Sequence, residues 1–237
     1  MFSNSTVVLT GVGAEGQVGE VVAKAFGDLG ASLVLVDRTA DHVQARADAL
    51  ARTGAKARGY ACDLTDAAAV DALVREVRAN HGDAVRALVH MAGGFAMSGP
   101  VAESAIDVWQ RQIAINLTTA YIAGRAFLPL VRAGKGSLVF FASEAALPGA
   151  SAANRSAYAI AKTGVVTLMR AIAAEEQKAG TGVRANAVAP TSIRTAANVS
   201  AMGGDVRYVE REEVAAVVTY LCSPQASAVN GAVIPLS

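Results

Sequence analysis

Cysteine is nearly absent from this chain of 237 residues: only Cys62 and Cys222 occur, in no metal-ligand spacing. A disulfide framework is therefore not expected, and two reduced thiols in a cytoplasmic protein are the reading that fits. Histidine is as scarce, with His42, His81 and His90 scattered along the chain, so no metal site is expected. An excess of either charge is missing too. Lys and Arg number 21 and Asp and Glu 20, leaving a formal +1 with no basic run, which argues against nucleic acid as a partner. The N-terminus has no basic stretch followed by an apolar one, so no secretory leader is read there. No window of about 20 residues reads as apolar enough to span a bilayer, so no membrane association is expected. Apolar residues themselves are abundant, at 53% hydrophobic against 17% charged, enough for a substantial core.

The first organised stretch is Thr6-Val-Val-Leu-Thr10, a buried strand that runs into Gly11-Val-Gly13-Ala-Glu-Gly16-Gln-Val-Gly19. Helical spacing of Val18, Val22, Ala25, Phe26 and Leu29 follows, then a second strand, Ser32–Asp37. Glycines at a strand-to-helix turn let backbone N–H groups and the positive end of the helix approach a pyrophosphate. An acid about 20 residues later, Asp37, can accept from a ribose hydroxyl. Dinucleotide binding follows from the whole unit, not from the glycines alone.

Strand and helix patterns then alternate to the end. Helices are expected over Ala40 to about Thr53, Asp66 to about Asn80 with Thr65 as N-cap, about Ala105 into the low 130s with a bend or stop at Pro129, Ser156 to about Ala179, and Arg211 to about Cys222. Strands are expected at Ala55–Cys62, Val85–Met91, Ser137–Ala142, Val183–Val188 and Ala232–Pro235. About seven strands in βα pairs, with no linker or repeat, predict one α/β domain over residues 1–237. It is a doubly wound, Rossmann-like parallel sheet with helices on both faces.

Tyr158-Ala-Ile-Ala-Lys162 places a phenol and an ammonium one turn apart on a helix. A free tyrosine, with a pKa of about 10, is a poor acid–base near neutrality, and a nearby ammonium lowers that value. Ser143, at the end of the strand before this helix, can bond the oxygen that Tyr158 protonates.

In these marks and their order the chain resembles the short-chain dehydrogenase/reductases over nearly its whole length. The resemblance makes Asn116, Ser143, Tyr158 and Lys162 a catalytic tetrad. It makes Gly11, Gly13, Gly16, Val18 and Gly19 the turn around the cofactor, with Asp37 and Arg38 at the adenosine ribose and Asp63 and Leu64 by the adenine. Ala92 and Gly93 follow the fourth strand. Pro190, Ile193 and Thr195, together with Tyr158 and Lys162, fall near the nicotinamide half. The implied activity is hydride transfer between NAD(P) and a carbonyl or secondary alcohol, with NAD preferred because Asp37 repels a 2′-phosphate, although Arg38 could pair with one. A small-molecule substrate and a homotetramer are implied as well. Helices around Ile113–Val131 and Tyr158–Met169 are apolar on nearly every face, which independently calls for a second covering partner.

The sequence also departs from the family. The glycine turn is about two residues longer than usual, His90-Met91 stands where Asn-Asn is common, and Thr191 replaces a glycine. His90 reads as structural. The substrate-side stretch, about Ala196–Arg207, is too short for a two-helix lid and reads as a mobile loop interrupted by Gly203-Gly204. Phe95, Met97, Leu147 and Met202 are candidate pocket walls, and Arg155 and Arg194 are either anion contacts or solvated charges. A dinucleotide-sensing protein without turnover and an epimerase or dehydratase are the rival readings. Relatives of the latter kind carry an added C-terminal domain.

Overall fold

The computed structural model describes residues 1–13 and 15–237. Seven strands form one parallel sheet: β1 (Thr6–Thr10), β2 (Ser32–Asp37), β3 (Lys56–Ala61), β4 (Val85–His90), β5 (Ser137–Phe141), β6 (Arg184–Pro190) and β7 (Val233–Leu236). Their order is β3-β2-β1-β4-β5-β6-β7. The chain starts in the middle, winds outward through β2 and β3, then returns to the other side of β1 at β4. The β1/β4 junction is therefore the point where the winding reverses, and a crevice opens there beyond the carboxyl ends of the strands.

Alternation along each strand builds two cores. Val8, Val34, Val36 and Leu88 face one way and pack under α3 (Ala67–His81), α5 (Thr119–Ala133) and α6 (Ser156–Lys178). Val7, Leu9, Leu33 and Leu35 face the other way, under α1 (Val18–Asp28), α2 (Ala40–Arg52) and α8 (Arg211–Cys222). Both faces of the central strands are covered, which is why they read as continuous apolar runs, whereas the edge strand β3 is mostly exposed or half-buried.

Four expectations change. Asp66, not Thr65, caps α3: its Oδ1 accepts from Ala68 N at 2.8 Å and Ala69 N at 3.2 Å, while Thr65 bonds to Asp63. Two good capping residues stand side by side there, and the carboxylate takes both orphan amides. Pro129 does not end its helix, which continues to Ala133. Proline sits one turn from the helix end, and Leu130 and Val131 are anchored in the core beyond it. The break comes earlier. After α4 (Ile106–Gln112) the chain widens into a π-turn, Ile113–Thr118, before α5. Third, Ala196–Met202 is not loop but a seven-residue helix, α7. Thr195 caps it through Asn198 N at 3.2 Å, and Tyr208 Oη holds its end by donating to Gly203 O at 2.6 Å.

The fourth concerns apolar length. Ile106–Ala133 and Ser156–Lys178 each contain an 18-residue window of mean hydropathy 1.2, enough by composition to cross a bilayer. Both lie against the sheet here. The same apolar residues form one of the two cores, and Asn116, Lys162 and Glu176 are buried among them with polar partners.

Candidate active site

The carboxyl ends of β1 to β4 enclose a cleft of about 560 Å³. Its lining includes Gly11, Gly13 and Val18 from the first turn, Asp37 and Arg38 after β2, Asp63 and Leu64 after β3, and Ala92 and Gly93 after β4. Nine of the expected cofactor contacts thus share one wall-to-wall space. Gly11 is required by close approach: a Cβ there would lie 2.5 Å from Ala92 Cα, and its φ of +72° is a left-handed one. Gly19 is packed likewise, with a Cβ position 2.6 Å from Val12 Cα. Gly16 and Gly19 stand behind the lining, not in it. The Gly16 amide donates to Glu20 Oε2 at 2.7 Å, and Glu20 is itself held by Arg46 at 2.8 Å. This brace on the lengthened turn was not foreseen, because it joins α1 to α2.

Asp37 leans into the cleft. Its Oδ2 accepts from Gly13 N at 2.8 Å and its Oδ1 from Thr39 N at 3.2 Å. Asp63 carries a lowered pKa, chiefly through its bonds from Thr65. Arg111, Ile115 and Thr119 also line the cleft and were missed. Their mutual spacing was the available signal, since positions 111, 115 and 119 follow one another at four-residue intervals along one helical face.

Farther along the same edge, Lys162 is buried and its Nζ donates to Phe141 O at 2.8 Å, pinning α6 to the end of β5. Burial pushes its pKa down to about 8. Ser143 follows β5 by two residues, and its Oγ accepts from Ala145 N at 3.3 Å. Tyr158 stands one turn before Lys162, its ring edge-on to Phe95 with centroids 5.0 Å apart. The expected lowering of the Tyr158 pKa by Lys162 is not found. Burial raises it, and the Ser143 hydroxyl and Arg155 only partly offset that. Lys162 Nζ is turned to the strand carbonyl and lies 5.8 Å from the centre of the tyrosine ring.

Asn116 is buried, as its apolar neighbours suggested. The π-turn aims its carboxamide at the loop after β4, where Nδ2 donates to Gly94 O at 2.9 Å and Oδ1 accepts from Gly94 N at 3.1 Å. Gly93 is squeezed between Asn116 and Lys162: a Cβ would meet Asn116 Oδ1 at 2.5 Å and Lys162 Nζ at 3.3 Å. Pro190 ends β6, and Ile193 pairs with Val209 beyond it, with Thr195 at the start of α7. A second recess of about 620 Å³ opens near Arg86, Lys135 and Arg184. It contains none of these acid–base groups.

His90 is structural. Thr119 Oγ1 spends its proton on Ile115 O at 2.8 Å, so it accepts from His90 Nε2–H at 3.3 Å, and His90 Nδ1 accepts from Thr10 at 2.9 Å. Burial, with the Lys162 charge adding, pushes its pKa down to about 3. Between pH 6.5 and about 3 the unfolded chain therefore binds the extra proton, and stability falls as pH falls. We expect His90→Asn to flatten that acid loss, whose slope from this one group is about 1.4 kcal/mol per pH unit. Urea melts at a series of pH values check it; parallel curves for the two proteins would show that His90 is not the buried neutral group.

A family model described as enoyl-(acyl carrier protein) reductase matches residues 11–237. The chain is 34% identical over 250 residues to meso-2,3-butanediol dehydrogenase of Serratia marcescens, covering 99% of this chain and 94% of that one. It is 33% identical over 232 residues to D-threitol dehydrogenase of Mycolicibacterium smegmatis, covering 93% and 87%. A crystal structure of a putative NAD(P)-dependent gluconate 5-dehydrogenase from Beutenbergia cavernae, with bound NADP at low occupancy, superposes with a TM-score of 0.86 at 31% identity. That match covers 98% of this chain and 95% of that one. The chain belongs to the short-chain dehydrogenase/reductase family. It is an NAD(P)-dependent oxidoreductase that acts on carbonyl and alcohol groups.

Proposed function

We propose that Tyr158 is the general acid–base of this oxidoreductase, with Ser143, Lys162 and Asn116 in support. The observation that carries this reading is the anchoring of Lys162 on Phe141 O, two residues before Ser143, beside the same sheet edge that holds the dinucleotide-shaped cleft. The cleft suits the cofactor chemically. Carboxylates at Asp37 and Asp63 meet hydroxyl and amino groups, and the N-terminus of α1 meets phosphate.

When bound, the nicotinamide supplies or takes up the hydride. Tyr158 gives its proton to the carbonyl oxygen in reduction and removes it from the alcohol in oxidation. Ser143 orients that oxygen and stabilises its developing charge. Lys162, still mostly protonated at neutral pH with a pKa near 8, favours the phenolate when its Nζ swings from Phe141 O. Asn116 fixes the Gly93–Gly94 backbone against Lys162. Pro190, Ile193 and Thr195 border the nicotinamide half, and Gly16 and Gly19 serve the cofactor indirectly by shaping its turn.

NAD is preferred over NADP. Asp37 projects into the cleft at Gly13, where a 2′-phosphate would meet its charge, whereas exposed Arg38 interacts with Asp63. We expect kcat/KM with NADH to exceed that with NADPH on any accepted carbonyl; the reverse order would show that Arg38 dominates.

The working form is a homotetramer in the cytoplasm. Tyr121 on α5 and Ile160 on α6 are 56% and 49% exposed, apolar side chains that a symmetric partner helix would cover. Both cysteines are free and buried, in keeping with a reducing compartment. Light scattering at micromolar concentration should give four times the chain mass, and a monomer would contradict the assembly.

A further inference from the structure

Three segments carry the apolar side chains offered as substrate walls, and one of them touches the Tyr158 ring. The first runs from Gly94 to Gly99. Ser98 N donates to Asn154 O at 2.7 Å and Ser98 Oγ meets Ser156 Oγ at 3.4 Å, so this segment is laced to the start of α6. It leaves Phe95 edge-on to the Tyr158 ring, and Phe95 and Met97 are both 57% exposed. The second is the turn after Ser143, which ends at Leu147, an apolar side chain partly buried against the core. The third follows β6, where Ser192 Oγ approaches the sulfur of Met202 at 3.7 Å and Met202 is exposed.

The two arginines that could greet an anion are both neutralised from within the chain. Arg155 Nη1 donates to Glu144 Oε1 at 2.7 Å, and Arg194 Nε donates to Glu210 Oε1 at 2.6 Å. Arg155 also donates to Ser151 O, and Arg194 stacks over the Tyr208 ring. A carboxylate or phosphate on the substrate would have to compete with these pairs. A polyol hydroxyl laid against Phe95 or Met97 would find no partner there and would lose its hydrogen bonds to water.

Taking the Tyr158 site as the seat of the oxidoreductase reaction, we infer that its physiological substrate is an uncharged, predominantly apolar ketone or the matching secondary alcohol. Phe95 is the main specificity-determining side chain, and the Glu144–Arg155 pair excludes anionic substrates. In reduction the C=O π bond breaks, the carbon gains a C–H bond from the reduced nicotinamide, and the oxygen gains its proton from Tyr158. This selectivity sets the chain apart from its relative named for threitol.

The test uses the purified protein with NADH and with NADPH on three carbonyls: 4-methylcyclohexanone, 4-oxocyclohexanecarboxylate and erythrulose. The first should be favoured in kcat/KM by about tenfold or more over each of the others, the size expected for apolar contacts and unpaired polar groups. Phe95→Ala should lower kcat/KM for 4-methylcyclohexanone mainly through KM and narrow that gap. Glu144→Gln, which frees Arg155, should raise turnover of the carboxylate relative to the methyl compound. Preference for erythrulose or for the carboxylate by the wild-type protein overturns the inference while leaving the oxidoreductase reading intact. Failure to reduce any of the three overturns it as well. Tyr158-dependent oxidation of some other alcohol would then separate a wrong substrate class from a wrong site.

Discussion

Tyr158→Phe should lower kcat by at least about a hundredfold, the range in which a single general acid–base contributes. Cofactor affinity should change little. The substitution removes one hydroxyl and keeps the ring that meets Phe95 edge-on, so packing is preserved. Because burial holds the Tyr158 pKa above its ordinary value, the wild-type protein should oxidise alcohols faster as pH rises, when the phenolate forms, and reduce carbonyls more slowly over the same rise. The Phe variant should lose both limbs. Steady-state rates in each direction across a pH series, with cofactor binding followed by fluorescence, measure all of this. A variant that turns over at the wild-type rate would remove Tyr158 from the chemistry.

Gly11→Ala should be strongly damaging to both stability and cofactor binding. Two costs meet at that position. A non-glycine residue in the left-handed region is strained by about 1–2 kcal/mol, and the added carbon would sit 2.5 Å from the Ala92 backbone. Overpacking against main chain that cannot rotate away typically adds about 1–3 kcal/mol. The strands on either side, β1 and β4, flank the switch point, so relief by separating them would open the floor of the cleft. We expect lowered thermal stability together with a dinucleotide affinity weakened by tenfold or more. Gly16→Ala serves as the contrast: its φ is also left-handed, but nothing lies within 4 Å of the added carbon. Equal losses in the two variants would show that strain alone, and not the approach to Ala92, sets the requirement for glycine.

Much of this was legible in the sequence, for identifiable reasons. The β1–α1–β2 unit declares itself because a buried strand, a glycine turn and Asp37 lie within one short stretch, and local order suffices to read them. The central strands show because both faces of the sheet are covered there, leaving runs such as Leu33–Val36 uniformly apolar. The burial of Asn116 followed from Ile113, Ile115 and Leu117 around it. The π-turn that aims it was not legible, since one extra residue per turn leaves no mark on side-chain periodicity over six residues.

Contacts between distant segments were equally hidden. Glu20 bracing Gly16 depends on Arg46 from the next helix, and Arg155 is held by Glu144, 11 positions earlier, a pairing that no local pattern marks. The Tyr158 pKa went the other way from the pattern because Tyr-x-x-x-Lys specifies proximity along a helix, not where the ammonium points. Burial and the Phe141 carbonyl decide that. The stretch after Thr195 was read as loop because its glycines dominate the sequence, whereas the Thr195 cap and Tyr208 hold one short helix before them.

Isotope transfer tests the central claim most directly. The protein is given NADH in which both hydrogens on the reactive carbon of the nicotinamide are deuterium, together with the uncharged ketone, and the alcohol is analysed by mass and by proton resonance. The account predicts one deuterium per product molecule, on the carbinol carbon, and one cofactor oxidised for each alcohol formed. Tight cofactor binding with no deuterium transferred to any carbonyl, or product formed without net oxidation of the cofactor, would contradict it.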